Sequence, residues 1–172
     1  CFTGSKILKS SNPLSMVYAG HQFGNWVPRL GDGRAVLLGE VMDLQNERWD
    51  IQLKGSGVTP FSRNGDGKAA LGPILREYLL SHGMYNLGIP TTLALTIATT
   101  GENIRRESLL PGAIISRVAK SHIRVGTFQY FASQGKYELV KKLSDYVIHR
   151  HFPKIISNKH KYFIFYLSGG LK

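Results

Sequence analysis

Cysteine is almost absent from this 172-residue sequence, with Cys1 the only one. A lone thiol excludes an internal disulfide framework and a cysteine-based zinc cluster, and it fits a reducing compartment. Acids are scarce too: 11 Asp and Glu stand against 22 Lys and Arg, for a net charge of +11. Such a surplus invites a polyanionic partner: a nucleic acid, a nucleotide or a membrane surface. Lys154, Lys159, Lys161 and Lys172 meet no acid in residues 152–172, so the body of the chain is only moderately basic. Long apolar runs are missing. The longest, residues 162–167, falls far short of the ~18–20 residues that span a bilayer, so no membrane role is expected. No signal segment or internal repeat is visible, and a start on Cys1 rather than Met reads as a fragment.

What is present is 42% hydrophobic residues, enough to bury one core in a chain of this size. Residues 34–42 and 48–54 read as two strands after a turn containing Gly31 and Gly33. In the second strand Trp49, Ile51 and Leu53 alternate with Asp50, Gln52 and Lys54, which predicts that Lys54 points away from the core face. Residues 55–67 carry four glycines and one proline and predict a long loop of the functional kind. Leu71, Ile74, Leu75, Tyr78, Leu79 and His82 recur at helical spacing, with Gly88 as a stop. Glu77 lies off that stripe, beside Leu80 and Met84. Leu93, Leu95 and Ile97 suggest a strand ending at residues 100–102, and residues 113–119 another, in which Ala113, Ile115 and Arg117 share a face. Residues 137–150 predict a closing helix with Leu139, Val140, Leu143, Tyr146 and Val147 as its apolar side. The run 162–167 is β-prone and uncharged, and no function is assigned to it.

The order of parts points to phosphate chemistry: a glycine turn followed by Arg34, then a strand-borne Lys54, then a helix bearing Glu77. Glycines admit close backbone approach, a lysine neutralises phosphate charge, and a helix carboxylate can hold that lysine in place. This is the logic of a kinase small lobe. The same residues also allow a plain hairpin turn and a solvated lysine. Other motifs fail. Residues 65–68 have Ser62 in place of the first P-loop glycine and Ala69 in place of its Ser or Thr, and Gly55 and Gly57 do not complete a dinucleotide fingerprint. Ser56 does not sit in a nucleophile elbow. The six histidines are scattered, and His149 with His151 would diverge on a helix, so no metal site is expected from them. Arg63, Arg105, Arg106, Arg117 and Arg124 lack the interleaved aromatics of an RNA-binding motif, so a nucleic-acid partner is not favoured.

Eight ordered motifs are more specific: YAGHQFG at 18–24, LGDGR at 30–34, LKGSG at 53–57, TPFSR at 59–63, GDG at 65–67, LRE at 75–77, LGIPTT at 87–92 and SHIR at 121–124. Together they resemble the selenoprotein O family over residues 18–153. The resemblance implies an α+β protein-kinase-like small lobe, mostly antiparallel sheet with packed helices, in proteins that transfer AMP from ATP to hydroxyl side chains of other proteins. It implies ATP contacts by Gly31, Gly33, Arg34, Lys54, Asp66, Gly67, Arg117 and Arg124, with Glu77 orienting Lys54. It places the catalytic aspartate and the magnesium ligands in a C-terminal lobe beyond the last matching residue. The expectation is therefore an ATP-binding region, residues 18–153, between an N-terminal extension, 1–17, and a divergent basic and aromatic tail, 154–172, inactive on its own. It would be cytoplasmic in a bacterium or mitochondrial in a eukaryote. The rival expectations are a non-catalytic basic module that binds nucleic acid or a partner, and the product of a decayed gene.

Overall fold

The computed structural model describes residues 2–6 and 10–156. The predicted β-prone run at 162–167, with Lys159, Lys161 and Lys172, lies outside them. The elements, in chain order, are β1 (Gly20–Gln22), β2 (Asn25–Val27), β3 (Ala35–Met42), β4 (Arg48–Lys54), β5 (Ala69–Ala70), α1 (Leu71–Asn86), β6 (Leu93–Arg105), β7 (Leu109–Ala119), α2 (Val125–Ala132), α3 (Tyr137–His151) and α4 (Pro153–Ile156). The class is α+β with antiparallel pairing, as expected from the sequence. The chain forms two compact units, one of Cys1–Val17 with Leu30–Ile123, the other of Tyr18–Arg29 with Arg124–Lys172.

The first unit is built on a five-stranded sheet in which β7 is central: one edge pairs with β4 and β5, the other with β6, and β3 extends the sheet beyond β4. Residues that face each other across a ladder share a side of the sheet. Lys54, Ile115 and Ile97 therefore share one side with Gln52, Arg117 and Ala94. Helix α1 covers that side, and its Ile74, 1% exposed, packs with Ala69, Ala94, Ala113 and Ile115. The expectation for Lys54 is thus corrected. Ile51 and Leu53 are buried on the opposite side, but the side carrying Asp50, Gln52 and Lys54 is the one that receives the helix. Alternation identifies the apolar face of a strand; it does not require the polar face to meet water when its groups satisfy one another. On the opposite side Ser116 donates to the Phe2 carbonyl at 2.7 Å, and along β3 Leu14 forms a backbone bridge to Leu37, so residues from 1–17 join this unit.

Three further differences have local causes. Helix α1 buries Ile74 and Ser81 with Leu71 and Tyr78 partly covered, whereas Leu75 and Leu79 of the predicted stripe stand 44% and 68% exposed. The sheet meets the helix about one residue position off the most apolar line. Strand β6 runs on past residues 100–102 through a bulge at Gly101, whose φ is +76°, and its alternation is broken earlier by a register shift between Ala94 and Thr96. Gly88 ends α1 as predicted: its N–H reaches the Tyr85 carbonyl at 2.9 Å, and the Ile89 N–H reaches that of Met84 at 3.0 Å, a Schellman closure.

In the second unit, β1 and β2 form a hairpin whose turn residues Phe23 and Gly24 both have positive φ. Helix α2, which no sequence pattern marks, packs on α3, where Val147 and Ile148 are buried. Leu139 and Tyr146, predicted on the apolar side of α3, are exposed. Among the described residues no helix is long and apolar enough to cross a membrane.

Candidate functional site

Lys54 ends β4 and Glu77 lies on the second turn of α1, so the strand-to-helix packing brings them together. The Lys54 ammonium sits 2.5 Å from Glu77 Oε2. Arg117 of β7 reaches the other oxygen of the same carboxylate, Oε1, at 3.3 Å, and donates through a second nitrogen to Gln52 Oε1. Gln52 is fully buried, and its Nε2 donates to Asp32 Oδ2 at 3.2 Å. Asp32, 2% exposed, also accepts the Met16 N–H. Five side chains from a turn, two strands and a helix thus form one connected polar network. Burial pushes the Lys54 ammonium below the ordinary lysine value, and the nearby charges of Arg117 and Arg34 push the same way against the pull of Glu77. The cluster is short of negative charge around Lys54, which favours an incoming anion.

Arg34 is exposed and follows the turn at Gly31 and Gly33. Those glycines answer to packing. A Cβ on Gly31 would lie 2.2 Å from the Phe61 ring, and one on Gly33 would lie 3.0 Å from the Phe61 carbonyl. Residues 59–63 fold over the turn, with the Thr59 hydroxyl donating to the Asp32 carbonyl and that of Ser62 to the Gly33 carbonyl, both at 2.6 Å.

Asp66 and Gly67 enter a different set of contacts. Arg106, from the β6–β7 turn, grips Asp66 through two nitrogens at 2.8 and 2.9 Å, and the carboxyl is lowered to about 2 chiefly by that bond. Gly67, at φ +64°, lies so close to Gly57 that a Cβ would fall 1.9 Å from its carbonyl oxygen. Lys68 pairs with Glu102 at 2.5 Å beside a cavity of about 180 Å³ that Gly55, Ser56 and Ala113 also line. As the helical spacing predicts, Glu77 shares its surface with Leu80 and Met84, which line an open groove of about 360 Å³ with Thr91 and Thr92. Arg124 belongs to the second unit, where its guanidinium lies 4.9 Å over the Tyr18 ring.

The structure therefore joins Lys54, Glu77 and Arg117 by direct contact and puts Arg34 within electrostatic reach of Lys54. It holds Asp66 and Gly67 in the Arg106-bound loop. Sequence reasoning gives no role in the site to Asp32, Gln52 or Arg106. Asp32 stands inside the LGDGR motif, and Gln52 reads as solvent-facing because its neighbours in the alternation are charged.

The sequence profile described as Protein adenylyltransferase SelO matches residues 2–168. The chain belongs to this family. The match is wider than the 18–153 span carrying the eight motifs. A relative from Rhizobium rhizogenes, named protein nucleotidyltransferase YdiU, is 61% identical over 161 residues, covering 94% of this chain and 32% of the relative. Proteins of the same name from Rhodopseudomonas palustris and Maridesulfovibrio salexigens are 59% and 60% identical, over 92% and 90% of this chain and 32% and 31% of theirs. The chain thus spans about a third of the length of these relatives.

Proposed function

We propose that this chain is the ATP-gripping part, a kinase-like small lobe, of a protein nucleotidyltransferase that moves AMP from ATP to Ser, Thr or Tyr hydroxyls of other proteins. The observation that carries this reading is Lys54, partly buried and held at 2.5 Å by Glu77, with Arg117 on the other oxygen of the same carboxylate. A lysine whose charge is opposed by burial and by two arginines gains most from a polyphosphate. The names of the family and of its relatives supply the reaction class.

ATP, when bound, supplies the AMP group and a pyrophosphate leaving group. Lys54 and Arg117 donate to phosphate oxygens, and Arg117 offers a planar fork suited to two of them. Glu77 keeps both cations oriented before the nucleotide arrives, which lowers the ordering needed on binding. We assign further nucleotide contacts to Arg34, to the turn at Gly31 and Gly33, to Asp66 with Gly67, and to Arg124. Among the described residues no three His, Cys, Asp or Glu side chains come together, and Asp66 is committed to Arg106, so no step is drawn through magnesium. We assign the catalytic base and the magnesium ligands to the two thirds of the relatives' length that this chain does not span.

Titrating ATP with magnesium against the chain and a Lys54→Ala variant tests the reading. Binding by the parent that drops at least tenfold in the variant is expected; equal binding by both would overturn it.

A further inference from the structure

Gln52 is the least exposed polar side chain on the side of the sheet that α1 covers, at 0%, paired across the ladders with Leu37 of β3 and Arg117 of β7. An apolar residue would fill this position without the cost of burying an amide. The two ends of that amide are chemically different, and each meets the partner only that end can serve. Its carbonyl oxygen accepts from the Arg117 guanidinium, and its NH₂ donates to Asp32 Oδ2 at 3.2 Å. Asp32 in turn is fixed along its main chain, its N–H donating to the Met16 carbonyl at 2.9 Å and its carbonyl accepting the Thr59 hydroxyl at 2.6 Å. One buried amide therefore ties the turn before Arg34 to the arginine that shares Glu77 with Lys54.

We propose that Gln52 is a positioning residue, whose amide holds Arg117, and through Asp32 the turn from Gly31 to Arg34, in the arrangement that receives the polyphosphate of the nucleotide. The proposal rests on the nucleotide reading above. A guanidinium held on one side by Glu77 alone could swing about that contact; the second anchor removes that freedom and fixes the direction of its fork. The amide does this without charge. A carboxylate in its place would neutralise Arg117 and face the carboxylate of Asp32.

The test compares the 172-residue chain with Gln52→Met, Gln52→Glu and Lys54→Ala, titrating each with ATP and with adenosine as the phosphate-free probe. Gln52→Met keeps the length of the side chain and removes both hydrogen bonds. ATP binding should weaken by about tenfold or more, the scale of a lost bond to a charged group, and adenosine binding by less than about twofold. A packing role alone would weaken both ligands in the same proportion. Gln52→Glu should lose ATP affinity at neutral pH and regain it as the pH falls, because a proton shared by the new acid pair remakes the bridge to Asp32. That profile also decides the matter if Gln52→Met does not fold. ATP binding like the parent's in the glutamine variants, a proportional loss of both ligands, or a pH-independent deficit in Gln52→Glu would overturn the proposal. If Lys54→Ala still weakens ATP, the nucleotide reading survives that result; if Lys54→Ala binds as the parent does, the nucleotide reading itself falls.

Discussion

Glu77 holds two cations from two different strands, with Lys54 on one carboxylate oxygen at 2.5 Å and Arg117 on the other at 3.3 Å. Glu77→Gln keeps the shape and removes the charge that offsets both. The groups are about a quarter exposed or less, so solvent screens part of the loss, and a destabilisation of about 1–2 kcal/mol is expected. Urea unfolding of the variant measures it, and no change in midpoint would show that the pair contributes nothing to the fold.

Gly31 and Gly83 should respond in opposite directions to alanine. Gly31 has φ +63°, and a methyl group there would meet the Phe61 ring at 2.2 Å, so Gly31→Ala should cost about 1–3 kcal/mol. Gly83 lies within α1 with nothing near its would-be Cβ, and Gly83→Ala should stabilise by about 0.5–1 kcal/mol. Thermal melts of the two variants on either side of the parent are the expected result.

The packed side of α1 can be read by substitution. Ile74→Ala empties a fully buried site and should cost about 2–5 kcal/mol, whereas Leu79→Gln, at a 68% exposed position, should stay within about 0.5 kcal/mol of the parent. A large loss at Leu79 would mean that the Leu75 and Leu79 side of the helix, rather than the Ile74 and Ser81 side, faces the sheet.

Asp66 gives a pH signature. Its carboxyl is lowered from the ordinary value of 3.8 to about 2, first by the Arg106 bond and then by the Lys68 N–H. A depressed carboxyl stabilises the folded form above the unfolded value and loses that contribution as pH falls through the folded one. The tie between the 55–67 loop and Arg106 should therefore persist to about pH 4 and be lost towards pH 2. Carboxyl NMR titration follows it directly, and Arg106→Ala should return Asp66 to the ordinary range.

Local signals make much of this protein legible. The strand at 48–54 appears with the bounds its alternation predicts, the loop at 55–67 is set by its glycines, and Gly88 closes α1. The pairing of a strand lysine with a helix glutamate is legible from the order of parts and is present as Lys54 and Glu77. The strand, the loop and the helix stop depend on neighbours in the chain, through pleat, helical period and the φ freedom of glycine, so a single sequence determines them.

Only the tertiary structure decided which faces meet. The α1 side of β4 is polar in sequence yet buried, because Asp32, Gln52, Arg117, Glu77 and Lys54 come from segments up to 85 residues apart and satisfy one another only once β7 lies beside β4. The exposure of Leu75 and Leu79 and the capture of Asp66 by Arg106, forty positions away, were decided in the same way. Hydrophobic spacing states what each segment could bury. What it does bury is set by partners whose distance along the chain leaves no trace in any local pattern.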